Sequence, residues 1–124
     1  GIVTGQLVNV PSGIISSPPW YGLREQWAFV NGFLVGNNVN VSHADLHGAD
    51  LSMLGYVTNS SAFLSKVNFE GSNLSNAKIN AHGSNFNYAN LSGATLSQML
   101  WNSFDGALCP NGLLFNVGGD CLSF

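Results

Sequence analysis

At 124 residues the chain fits a single domain with room for a modest core. Only 7% of residues are charged, against roughly 25% in ordinary globular domains. The formal charge is −3, and Arg24, Lys66 and Lys78 are the only strong bases, too few and too scattered for a nucleic-acid-binding patch. No apolar run reaches the roughly 18 residues of a membrane-spanning helix, so no membrane insertion is expected. The chain starts at Gly1 and shows no signal peptide, which suggests a mature product or a fragment.

Residues 1–26 read as an N-terminal cap. They hold the apolar run GIVTGQLVNV, the turn-rich PSGIISSPP, and the pair Trp20 and Tyr21. From residue 27 to 108 a five-residue beat takes over, as in ADLHG ADLSM, SNLSN and ANLSG ATLSQ. A large apolar residue returns every fifth position, with a smaller one usually two places before it. Such a short unit buries nothing alone and must stack on its neighbours. Trp27 occupies one of the small positions, where its ring would plug the first coil.

The large residues run Phe29 and Leu34; Val41, Leu46, Leu51 and Tyr56; Leu64, Phe69, Leu74 and Ile79; Phe86, Leu91, Leu96 and Trp101. Longer steps follow every fourth member. The count therefore predicts a square coil, four units to the turn, with its spare residues at one corner. Column one is expected to hold Val41, Leu64, Phe86 and then Leu108. Column two holds Leu46, Phe69 and Leu91; column three Phe29, Leu51, Leu74 and Leu96; column four Leu34, Tyr56, Ile79 and Trp101. The small residues align as Ala44, Val67 and Ala89, and as Ala49, Ser72 and Ala94. Asn or Asp precedes many large residues (Asn40, Asp45, Asp50, Asn68, Asn73, Asn85, Asn90). On this grid Asp45, Asn68 and Asn90 stack, predicting a polar ladder along the axis and tolerance of tight turns.

Residues 109–124 read as the C-terminal cap, with Phe104, Leu113, Leu114, Phe115 and Phe124 available to close the core. Cys109 and Cys121, the only cysteines, flank a Gly-rich segment. A disulfide in an oxidising compartment is expected; free thiols in a cytosolic protein are the alternative, and a two-cysteine metal site lacks a nearby His.

The units ADLHG, ADLSM, SNLSN, ANLSG and ATLSQ resemble the pentapeptide-repeat family, whose unit reads A-D/N-L-x-x. That resemblance implies an all-β fold, a right-handed quadrilateral β-helix. With coils one strand spacing apart, the rod would be on the order of 20–25 Å long. The N-terminal lead-in and the C-P-N-G…G-G-x-C segment are similar to secreted bacterial members, implying an extracellular or cell-surface location.

No catalytic motif is present: there is no G-x-S-x-G, no H-E-x-x-H and no Gly-rich phosphate loop. Pairs such as Asp105 with Asp120, or Glu70 with Asp45, have no supporting spacing, so the chain reads as no enzyme and needs no cofactor. His43, Asp45, His47 and Asp50 are the one cluster of ligand-type residues. They point outward round a corner and read as ordinary surface, not a metal site. His82 reads as a loop residue. Sequons occur at Asn40, Asn59, Asn73 and Asn90; Asn59, in an expected corner loop, is the glycosylation candidate. Tyr56, Tyr88 and the three Trp would suit a sugar platform, but Trp20, Trp27 and Trp101 read first as caps and core.

These features favour a non-enzymatic secreted structural or interaction module. It would assemble with itself into a filament or surface layer, contact another surface protein, or serve as a spacer. The alternative is a carbohydrate- or protein-binding adhesin. A DNA-mimicking gyrase-binding role, suggested by some family members, fits poorly with so weak a negative charge.

Overall fold

The computed structural model describes residues 2–3, 13–16, 24–58, 61–115 and 121. Among them the only regular elements are strands: β1 (Ile2–Val3), β2 (Gly13–Ser16), β3 (Glu25–Val30), β4 (Phe33–Val35), β5 (Val39–Asn40), β6 (Gly55–Val57), β7 (Ala62–Ser65), β8 (Lys78–His82) and β9 (Thr95–Leu100). Trp20, Tyr21, Asn59, Asp120 and Phe124 lie outside the described residues.

Parallel bridges wind the chain into a β-helix with four walls. On wall one Asn40, Asn68, Asn85 and Ser103 pair in turn; on wall two, Asp45, Asn73, Asn90 and Leu108. Wall three pairs Asp50 with Lys78 and Lys78 with Thr95. Wall four pairs Leu64 with Ala81, and His82 with both Ser65 and Leu100. The residue after each bridge on walls one and two turns inward. Val41, Phe69, Phe86 and Phe104 are buried on wall one, and Leu46, Leu74, Leu91 and Cys109 on wall two. Hydrogen bonds from coil to coil fix this register: Val41 N to Asn68 O at 2.9 Å, Phe69 N to Asn85 O at 2.7 Å and Phe86 N to Ser103 O at 2.8 Å.

After Val41 in the first coil, one phenylalanine ring per coil stacks along wall one. Phe69 and Phe86 centroids are 4.9 Å apart, Phe86 and Phe104 5.4 Å, each pair within 10° of parallel. The separation matches the strand spacing, so the backbone pitch itself sets the stack.

The expected columns need correction. Wall-one bridges fall 28, 17 and 18 residues apart along the chain. Ile79 and Ala81, two apart on β8, are both buried, so the fourth wall begins immediately after the third, without a loop. The long step from Ile79 to Phe86 therefore carries an extra inward residue. The real insertion sits in the first coil, as the hairpin of β6 and β7, with Tyr56 opposite Phe63 and Val57 opposite Ala62. Leu64 thus lies beside Ala81, not between Val41 and Phe86. Phe69 joins Val41 and Phe86, Leu74 joins Leu46 and Leu91, and Ile79 joins Leu51 and Leu96. Leu108 bridges Asn90 instead of continuing column one. Small residues shift with them: Ala44, Ser72 and Ala89 form one stack, Ala49, Ala77 and Ala94 another.

Phe29 and Leu34 are not repeat members. They face each other across the β3–β4 hairpin, whose two-residue turn is Asn31 (φ 50°) and Gly32 (φ 85°), a sequence suited to a turn needing two left-handed residues. Trp27 is partly buried against the core. Its ring occupies the space a side chain at Gly36 would need. Trp101, expected inside, is 83% exposed, and Tyr56 is half-buried on the outer side.

The Asn and Asp residues do not ladder along the axis. Each side-chain oxygen accepts the N–H two residues on: Asn40 from Ser42, Asn68 from Glu70, Asn73 from Ser75, Asn85 from Asn87, Asn90 from Ser92. These turns along the chain start the corners and explain the preference for short polar side chains there. The corners after walls one and two then each need one left-handed residue. His43, Gly71, Tyr88 and Gly106 stack at one corner, and Gly48, Asn76 and Gly93 at the next. Where a glycine stands, the side chain one coil earlier fills its gap: His43 over Gly71, Asn76 over Gly93, Tyr88 over Gly106.

At the ends, β1 pairs in parallel with β5 (Ile2 opposite Val39), and β2 pairs antiparallel with β3. Cys109 and Cys121 form a disulfide, with both residues buried. Phe115 packs on Phe104, but Leu113 and Leu114 are each 67% exposed and do not close the core.

Candidate interaction surface

The outer side of wall four carries a row of rings. Tyr56 and Phe63 oppose each other across the β6–β7 hairpin with centroids 5.7 Å apart. Phe63 stacks on His82 at 4.0 Å, and Trp101 meets His82 edge-on at 6.1 Å and 76°. The placement is local in origin. Ala81 points in, so His82, next along the strand, points out; the left-handed Trp101 (φ 58°) then swings its ring off the end of β9. Behind the row, the buried Asn80 donates its amide to Ala62 O at 3.0 Å, and Asn102 donates to Ala81 O at 2.9 Å. These side-chain bonds replace backbone ladder bonds where the wall bends, and no buried side-chain polar atom lacks a partner among the described residues.

Beside the row, Lys66, Gly83 and Trp101 occupy successive coils of one corner, linked by Lys66 N to His82 O and Gly83 N to Leu100 O. All three are exposed. This corner is open: a Cβ at Gly83 would meet nothing nearer than Lys66 Cγ at 3.9 Å. Lys66 has no ion-pair partner among the described residues.

A second exposed feature is the end of the larger sheet. Among the described residues strand β9 is its last member and pairs only with β8. Its sequence TLSQML has no charge and no proline, and Thr95, Ser97, Gln98 and Leu100 are exposed. A bulge breaks its register near Gln98 (φ 52°), leaving Thr95 to Ser97 regular. The opposite end is blunted. Asn31 Nδ2 donates to Asp45 O at 3.0 Å, and Gln26 Nε2 to Met53 O at 2.8 Å, covering carbonyls of the first coil.

The polar candidates disperse. Asp45 accepts from His47 Nδ1 at 2.7 Å, with both side chains exposed, and its carboxyl is held below the usual range by that bond and by the His47 N–H. Asp50 is likewise held down, first by the Ser52 hydroxyl and then by the Ser52 N–H. His43 lies over Gly71 at the corner. No three metal-ligating side chains gather among the described residues. The sequon residues Asn40, Asn73 and Asn90 use their side-chain oxygens in turns.

Sequence reasoning missed Phe63 and His82 as surface rings and placed Trp101 inside. The available signal was Ala81: a small residue two after Ile79 continues a strand, which turns His82 outward.

Compared with known proteins, residues 78–98 match the family model for pentapeptide repeats (8 copies). No curated protein matches the chain. Among solved structures, it is similar to HetL, described as a pentapeptide repeat protein involved in heterocyst differentiation regulation, from the cyanobacterium Nostoc sp. strain PCC 7120. The identity is 24% and the TM-score 0.21, over 64% of this chain and 42% of that one. The chain thus spans less than half of HetL's length.

Proposed function

This chain is a pentapeptide-repeat protein, and from that premise we propose that it is a secreted, non-enzymatic structural module that associates with itself through its open end. Pentapeptide-repeat proteins are generally structural or interaction modules without catalysis. The observation that carries self-association is β9, an uncharged, proline-free strand that ends the sheet among the described residues. Such an edge offers unpaired N–H and C=O groups to another strand. Two β9 edges can pair antiparallel without charge repulsion, giving a closed two-fold contact. The capped carbonyls at the other end argue for pairs of molecules over the filament. Secretion is supported by the Cys109–Cys121 bond, which persists in oxidising compartments.

Sedimentation of the purified chain from about 1 to several hundred micromolar tests this. A monomer–dimer equilibrium is expected, with Ser97→Lys shifting it to monomer because a charge on the edge opposes pairing. A chain that stays monomeric throughout, or a Ser97→Lys variant that dimerises equally well, refutes the reading. The ring row on wall four favours a second reading, a binding module for a saccharide or protein, since exposed aromatic surface marks contact sites.

A further inference from the structure

We propose that the corner formed by Lys66, Gly83 and Trp101 binds acidic saccharides: the indole face takes a sugar ring and the lysine ammonium takes its carboxylate. The inference deepens the binding-module reading and does not depend on self-association.

Trp101 is the most exposed large apolar side chain described, at 83%. The other bulky corner residues, exposed as they are, each have a partner one coil on: His43 lies across Gly71 and Tyr88 across Gly106. Trp101 instead meets the His82 ring steeply inclined, at 76° and 6.1 Å, and most of its surface remains in solvent. Its backbone is left-handed (φ 58°), a conformation that glycine or asparagine adopts at lower cost. Neither core packing nor backbone preference therefore explains a tryptophan here.

Gly83 supplies the space. Coils lie about 4.8 Å apart, so Lys66 and Trp101 leave the backbone roughly 10 Å from each other across the missing side chain. A sugar ring stacked at van der Waals distance of about 3.5–4 Å from the indole fits that gap. Lys66 leans toward it, with Cγ nearest the vacant Cβ position.

Charge selects the class of sugar. Lys66 is one of only three strong bases in the chain and has no ion-pair partner among the described residues. A carboxylate on the stacked sugar would complete a charge-assisted hydrogen bond. Nucleobases also stack on exposed indoles, but single-strand binders pair that stacking with a positively charged groove that tracks the phosphates, and three strong bases in the chain supply none.

The probe is oligogalacturonate, with neutral maltooligosaccharide as its comparison, at protein concentrations where sedimentation shows monomer. Tryptophan fluorescence under acrylamide quenching reports the exposed indole. Oligogalacturonate is expected to protect it from quenching at millimolar concentration, at least fivefold better than the neutral sugar. Lys66→Gln should bring the two sugars level, and Trp101→Ala should abolish binding measured by calorimetry, with circular dichroism showing both variants folded. Binding should persist in Ser97→Lys; its loss there would move the ligand to the strand edge and overturn the assignment. So would undiminished binding by Trp101→Ala, absence of protection at tens of millimolar, or tighter binding of a single-stranded oligonucleotide.

Discussion

Two glycines with nearly the same backbone conformation provide a matched test of the corner packing. Gly71 has φ 66° and Gly83 φ 64°. Alanine at either site incurs the left-handed strain of about 1–2 kcal/mol. The surroundings differ. A Cβ at Gly71 would come within 2.5 Å of the His43 ring, whereas at Gly83 the nearest atom is 3.9 Å away. Gly83→Ala should therefore lose only the strain energy. Gly71→Ala should lose about 1 kcal/mol more, the low end of overpacking costs, because His43 lies at the surface and can swing aside. The double variant His43→Ala, Gly71→Ala should fall back to the Gly83→Ala level. Urea unfolding followed by circular dichroism, with equal m-values, measures each difference. If Gly71→Ala and Gly83→Ala prove equally costly, or removing His43 fails to close the gap between them, the side-chain-over-glycine account is wrong.

Phe86→Ala should destabilise by about 3–5 kcal/mol, since the ring is fully buried and stacked on both sides. In double-mutant cycles it should couple with Phe69 and hardly with Leu64, and the reverse would restore the register expected from counting units. Reducing or replacing the Cys109–Cys121 bond, which spans 12 residues, should lower stability by about 3 kcal/mol in the chain-entropy model. An unchanged melting temperature in reductant contradicts it. Asp50 loses its proton more readily in the folded chain than in the unfolded one. The contribution is thus present above the ordinary aspartate value of roughly 4 and fades as pH falls below it. Ser52→Ala should raise the Asp50 midpoint toward that value, read by carboxyl NMR; an unmoved midpoint would discount the Ser52 hydroxyl as the main cause.

The sequence by itself determined the architecture. A large residue every fifth position, as at Leu46, Leu51, Leu91 and Leu96, can be buried only by winding and stacking, and all but the half-buried Leu96 are fully buried. Asn and Asp before those positions encode the turns chemically, through side-chain oxygens reaching their own backbone. What tertiary structure decided was the register between coils. Spacing along the chain does not distinguish a bulging corner from a strand that keeps running, because both lengthen the step. Only pairing with the next coil places Leu64 beside Ala81 and Phe69 beside Phe86. The surface rings follow from that same choice: once Ala81 enters the core, Phe63, His82 and Trp101 are aligned outside, a contact set by residues 19 positions apart that no local pattern records.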